Sequence, residues 1–106
     1  MSSDHFDIAG IEKQYTKKIL ALFKNMPAGT SLILFGSRAK GNYREGSDID
    51  LAIKGSGVTL DQRTQWLAEY ENLFLPWKLD LVIYELTESQ NLKEHIDRVG
   101  KQLLRW

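Results

Sequence analysis

The sequence predicts a small α/β domain of the α+β kind, a mixed β-sheet of about three strands with helices flanking it. Three observations carry that prediction. Short apolar runs near 30–35, 48–54 and 78–85 are bounded by Gly, Pro, Asn or Ser, as strands are. Around them lie stretches in which apolar residues recur every three or four positions, the period of an amphipathic helix. At 106 residues the chain can bury one hydrophobic core and not two, so residues 1–106 are expected to form a single domain.

Met1 to His5 is polar and is expected to fray. From Phe6 or Asp7 to about Lys24, Ile8, Ile11, Tyr15, Ile19 and Leu22 step by three and four with Lys13, Lys17 and Lys18 opposite, which predicts a first helix. Pro27 cannot continue it and Gly29 suits a turn. Thr30 to Phe35 is the first strand, apolar enough for burial on both faces. Gly36-Ser37 breaks it and opens a short helix, Ser37 to Gly41, and Asn42 to Ser47 is a polar loop. Asp48 to Lys54 is the second strand, ended by Gly55-Ser56-Gly57.

Thr59 and Gln62 have capping-box spacing and start a long helix, its buried stripe expected at Leu60, Leu67, Tyr70 and Phe74 and its end at Pro76. The third strand, about Lys78 to Glu85, sets Leu79, Leu81 and Ile83 against Lys78, Asp80, Val82 and Tyr84. Thr87 and Gln90 have capping-box spacing again, and Leu92, Ile96, Val99, Leu103 and Trp106 step by four, three, four and three, predicting a helix to the last residue. Gly100 within it would cost on the order of 1 kcal/mol relative to alanine. A stripe ending in Trp106 is expected to serve as a partner surface.

Composition narrows the function classes. Hydrophobic residues at 42% and charged residues at 26% are ordinary for a globular protein, and Lys+Arg 14 against Asp+Glu 14 gives no general attraction to nucleic acid or to a membrane. With no cysteine there is neither a disulfide framework nor a thiolate metal site. No apolar run approaches the ~20 residues that span a bilayer. The first seven residues lack the basic-then-apolar layout of a signal peptide, so a cytoplasmic location is expected.

The chemistry concentrates in S-L-I-L-F-G-S-R-A-K-G-N-Y-R-E-G-S-D-I-D-L-A-I-K, Ser31 to Lys54. On a strand, Asp48 and Asp50 project together while Ile49, Leu51 and Ile53 project to the other side. Two carboxylates that close repel unless a cation lies between them, and Mg²⁺ characteristically bridges one or two carboxylates to substrate phosphates. Gly36-Ser37 offers free backbone N–H groups and a hydroxyl to an anion, and Arg38, Lys40 and Arg44 add positive charge, with Arg38 the foremost phosphate candidate. Asp80 faces away from the leucines of its strand, where it can join Asp48 and Asp50 if the strands are neighbours. An isolated aspartate in an apolar strand would otherwise be an uncompensated charge.

Other phosphate and metal motifs fail. Gly36 and Gly41 have P-loop spacing, but Asn42 and Tyr43 stand where Lys and Ser/Thr belong. Leu60 replaces the third glycine of a dinucleotide fingerprint after Gly55 and Gly57, and Ala52 breaks an EF-hand pattern. Ser47 fits a turn, Trp66 and Trp77 fit a core, and His5 and His95 lack metal-ligand spacing. Glu45 and Glu85 lack the apolar flanks of the aspartates.

Gly36-Ser37, ten residues, then Asp48-Ile49-Asp50 between apolar positions, with Asp80 on a later strand, resembles the polymerase-beta-like nucleotidyltransferase superfamily. More narrowly the chain is similar to its minimal nucleotidyltransferase (MNT) domain proteins, over about Ser31 to Glu85. The resemblance implies the nucleotidyltransferase fold and transfer of AMP from ATP to an acceptor hydroxyl with loss of pyrophosphate. Asp48, Asp50 and Asp80 would be catalytic and would hold two Mg²⁺ ions, spaced about 3.5–4 Å in two-metal enzymes generally. Gly36, Ser37 and Arg38 would bind the nucleotide. The chain lacks the second domain of larger superfamily members, so a partner or a second copy is expected to complete it. In the resembled family that partner is a HEPN protein, the pair acting as toxin and antitoxin, with a tyrosine of the toxin adenylylated. A small-molecule, aminoglycoside-type transferase and a non-catalytic nucleotide-binding antitoxin are the alternatives.

Overall fold

The computed structural model describes residues 7–106. The expected frayed start, with His5 and Phe6, lies outside the described residues. Among the described residues four α-helices and four strands alternate irregularly: α1 Lys13–Leu20, β1 Ser31–Phe35, α2 Gly36–Lys40, β2 Ile49–Lys54, α3 Leu60–Glu71, β3 Leu79–Ile83, α4 Gln90–Val99 and β4 Lys101–Arg105. The strands form one mixed sheet in the order β3-β2-β1-β4, with β1 antiparallel to β2 and β4, and β2 parallel to β3. A parallel neighbour needs a crossover, and α3 supplies it.

Alternation along the strands divides the sheet into two faces. Leu32, Leu34, Ile49, Leu51, Ile53, Leu79, Leu81 and Ile83 share the main core with Ile19 of α1 and Trp66 and Tyr70 of α3. Phe35 and Ala52 lie on the other face, where Ile96 of α4 covers them, with Ile33, Val82, Tyr84, Leu92 and Val99 at the rim.

The three expected strands and the short helix α2 form where the sequence predicts them, within one or two residues. The Thr59 capping box closes from both sides: the Gln62 N–H donates to Thr59 Oγ1 at 3.2 Å, and the Thr59 N–H donates to Gln62 Oε1 at 2.9 Å. Its buried stripe holds in part: Tyr70 is buried and Leu67 packs against the core, with Trp66 buried beside them. Leu60, at the first position of the helix, is 60% exposed, and Phe74 is 89% exposed because the helix ends at Glu71 and Phe74 sits beyond it at φ +53.

Both terminal helices are shorter than expected. Gly10, at φ +81, turns the chain ahead of α1, and Ile8 and Ile11 are buried from that turn, not from a helix. At the other end the helix stops at Val99. Gly100 is extended (φ −63, ψ 143), and a side chain there would collide with the Ile96 carbonyl and approach Ile33 Cγ2 at 2.6 Å. The chain then continues as β4, a fourth strand where the sequence predicts helix. Leu103 enters the main core, and Trp106 packs against it while its N–H donates to Thr30 O at 2.9 Å. The stripe expected to face a partner therefore packs inward, with Leu92, Ile96 and Val99 on the sheet. The cap of α4 is Ser89, which accepts from the Leu92 N–H; Thr87 instead donates to Ile83 O across the 3₁₀ turn Tyr84–Leu86. Among the described residues no helix is long and apolar enough to cross a membrane.

Candidate active site

Ile49, Leu51 and Ile53 bury one side of β2, which sends Asp50 to the other side. The same alternation in β3 sends Asp80 outward between Leu79 and Leu81. Asp50 and Asp80 stand directly opposite each other in the parallel β2–β3 register, so the two carboxylates share a face. Asp48 is exposed and precedes β2 by one residue, at the point where the Ile49 N–H donates to Lys78 O at 2.9 Å and starts the pairing. β2 and β3 are neighbours, the condition on which Asp80 is expected to join the acids of the second strand.

Asp50 is the half-buried member of the trio, and its carboxyl is pushed up to about 6. Burial is the main cause, followed by the negative charges of Asp80 and then Asp48, with Arg38 opposing. A carboxyl in that position takes up a proton or a cation. Among the described residues, no three acidic or imidazole side chains already close to metal-binding geometry.

The glycine-serine turn lies against this cluster. Phe35 pairs with Asp50 across β1 and β2, and Gly36 follows at φ +74. A Cβ at Gly36 would fall on the Asp50 carboxylate, with Asp50 Cγ 2.9 Å away. Glycine is what lets the turn approach the acid at all. Gly41, left-handed at φ +93, closes α2 with its N–H on Ser37 O at 2.9 Å.

Arg38 departs from its expected role. It is 1% exposed and its donors are taken by backbone carbonyls: Nη1 donates to Ala9 O at 2.6 Å, Nη2 to Ser47 O at 2.9 Å and Glu45 O at 3.3 Å, and Nε to Ser47 O at 3.3 Å. Tyr43 stacks on the guanidinium with its ring centroid 5.1 Å away. The side chain ties the segment around Gly10 to the loop that leads into Asp48. A buried arginine needs this many acceptors, and four of its five N–H groups are spent on the backbone. Lys40 and Arg44 are exposed. Ser47 is a turn residue as expected, its Oγ accepting from the Arg44 N–H at 2.8 Å.

One neighbour of the turn escapes the sequence. His95 of α4 sets its ring edge-on to Phe35, centroids 6.0 Å apart, and its Nε2 accepts the Gly36 N–H at 3.2 Å. A single histidine on a helix carries no sequence signal for that contact.

Residues 17–105 match the family described as polymerase beta, nucleotidyltransferase. No curated protein matches the chain. Among solved structures, the chain is similar to a toxin–antitoxin crystallised with AMP-PNP, at 27% identity and TM-score 0.68, over 85% of this chain and 73% of that one. A variant of the toxin–antitoxin pair MntA–HpeT is 25% identical at TM-score 0.65, over 91% and 74%. The tri-AMPylated Shewanella oneidensis HEPN toxin in complex with its MNT antitoxin gives 25% identity and TM-score 0.62, over 85% and 69%.

Proposed function

This chain belongs to the polymerase beta nucleotidyltransferase family, and from that premise we propose that it transfers AMP from ATP to a tyrosine hydroxyl of a HEPN-type toxin and is the antitoxin of that pair. The observation that carries the reading is the Asp50–Asp80 register pair, crowded enough to raise Asp50 to about 6, beside a turn that only glycine permits. The relatives support the choice of nucleotide and acceptor, since one was crystallised with AMP-PNP and another is a complex with an AMPylated HEPN toxin.

The donor set is all oxygen and all acidic, which suits Mg²⁺. Asp48, Asp50 and Asp80 would hold it, as two ions. Bound there, magnesium supplies charge neutralisation for the carboxylates and the triphosphate. The Ser37 hydroxyl and the backbone of the Gly36 turn bind the β and γ phosphates and orient the α phosphorus. Asp80 takes the proton of the acceptor hydroxyl. The new bond forms between the acceptor oxygen and the α phosphorus, the bond from that phosphorus to the β-bridging oxygen breaks, and pyrophosphate leaves with the electron pair. Arg38 contributes by holding the loop that carries Asp48.

The test is to incubate the chain with the HEPN-type toxin proposed as its partner, ATP and Mg²⁺, and to weigh both proteins. An adenylyl adduct on the toxin, absent with Asp80→Asn, is the expected result. A tight complex without an adduct overturns the catalytic reading in favour of inhibition by contact alone.

A further inference from the structure

The hydrogen bond between α4 and the turn has a role that neither the fold nor the three aspartates account for. His95 follows Leu92 by one turn of α4 and is adjacent to Ile96, which is locked over Phe35 and Ala52. Its ring is fixed from two directions, by the Phe35 ring at an interplanar angle of 81° and by the Gly36 N–H. Nε2 accepts here through its lone pair, which leaves Nδ1 as the ring's donor. The peptide it grips joins the last residue of β1, register partner of Asp50, to the residue whose missing side chain makes room for the Asp50 carboxylate. A rotation of that peptide would redirect Ser37 relative to the acids.

We propose that His95 is a positioning residue of the transferase site: it fixes the Phe35–Gly36 peptide plane, and through it the aim of Ser37 at the phosphates. The inference rests on the transferase reading above and deepens it. His95 touches no reacting atom. It spends the Gly36 N–H on orientation, so the phosphates are held by Ser37 and the later amides of the turn. Removing the imidazole leaves every proposed phosphate ligand present but loosely aimed. Misaiming by a fraction of an ångström to an ångström costs rate more than it costs binding.

The experiment compares wild type, His95→Ala and His95→Gln, the last because a glutamine Oε1 can replace the accepting Nε2. In adenylylation of the partner, His95→Ala is expected to lower kcat by at least about tenfold, with KM for ATP within about threefold, and His95→Gln to recover most of the loss. Independently of activity, ¹⁵N spectra of the free protein should show the His95 Nδ1–H tautomer and a Gly36 amide resonance displaced in His95→Ala and restored in His95→Gln. An unmoved Gly36 resonance, or a His95→Ala enzyme with wild-type kcat, overturns the proposal. If wild type itself transfers nothing, the transferase reading fails and the spectra still decide whether His95 holds the turn: a displaced and rescued resonance supports that contact, an unmoved one refutes it.

Discussion

Asp50 lies between a glycine that makes room for it and an aspartate in register with it, and the consequence is a carboxyl that resists ionisation. Burial contributes most, then Asp80, then Asp48. The group titrates near its ordinary 3.8 in the unfolded chain and near 6 in the folded one, so between those values the folded state binds more protons than the unfolded state. Stability from this group is therefore full below about pH 4, falls as pH rises toward 6, and stays reduced above it. Asp50→Asn removes the charge and should melt higher than wild type at pH 7.5 in EDTA. After discounting for partial exposure the gain is about 1 kcal/mol, roughly 4–8 °C for a domain of this size. The two proteins should melt together at pH 4, and Mg²⁺ at pH 7.5 should raise wild type more than the variant. A wild type that melts at or above Asp50→Asn at pH 7.5 without metal would show that the carboxylate is not under charge stress.

At the scale of elements, the loop between α2 and β2 is held from inside the protein. Arg38 connects Ala9, Glu45 and Ser47 through their carbonyls, and Trp77 Nε1 also donates to Glu45 O at 3.3 Å. Arg38→Ala would strand those acceptors in a buried place, and the expected loss is about 3 kcal/mol, with faster proteolysis between Gly41 and Asp48. Denaturant titration and limited proteolysis check it. A variant with normal stability and a raised KM for ATP would return Arg38 to the phosphates. Sequence alone aims Arg38 at phosphate because a basic residue after a glycine turn has no visible acceptors in one dimension. Its three acceptors come from two segments, one 29 residues back and one 7 to 9 residues on, which only the fold brings together. Asp50 and Asp80 were legible because strand alternation fixes their face, and α3 because Thr59 and Gln62 are three residues apart. The ends of the chain were not. Gly10 interrupts a helical pattern that Ile8 and Ile11 complete by spacing alone, and the spacing of Leu103 and Trp106 fits a helix while Gly100 has already released the chain into a strand.

For the molecule as a whole, the sheet order separates burial from chemistry: one face fills the core, and the other carries Asp50 and Asp80 at one end of the cover that α4 provides. That division depends on β1 being interior to the sheet, and β4 is what makes it so. From Ser31 to Leu34, β1 pairs with β4 on one side and β2 on the other, and Gly29 and Thr30 exchange hydrogen bonds with Trp106 just ahead of it. A chain ended at Gly100 would expose the outer edge of β1 and remove Leu103, which is 3% exposed, from the core. The lost leucine alone is worth about 2–5 kcal/mol, and the unpaired edge adds to it. The shortened protein is expected to lose its cooperative thermal transition in circular dichroism and to elute as aggregates in size exclusion. Trp106→Ala, which trims a half-buried side chain and spares the strand's backbone, should lower the melting temperature while keeping a cooperative fold and the elution position of wild type. Had the last residues been the loose end of a helix, ending the chain at Gly100 would cost little. A shortened chain that melts cooperatively within a few degrees of wild type would mean that β4 is an ornament of the sheet, and that β1 and the turn it delivers to Asp50 are held by β2 and α4 alone.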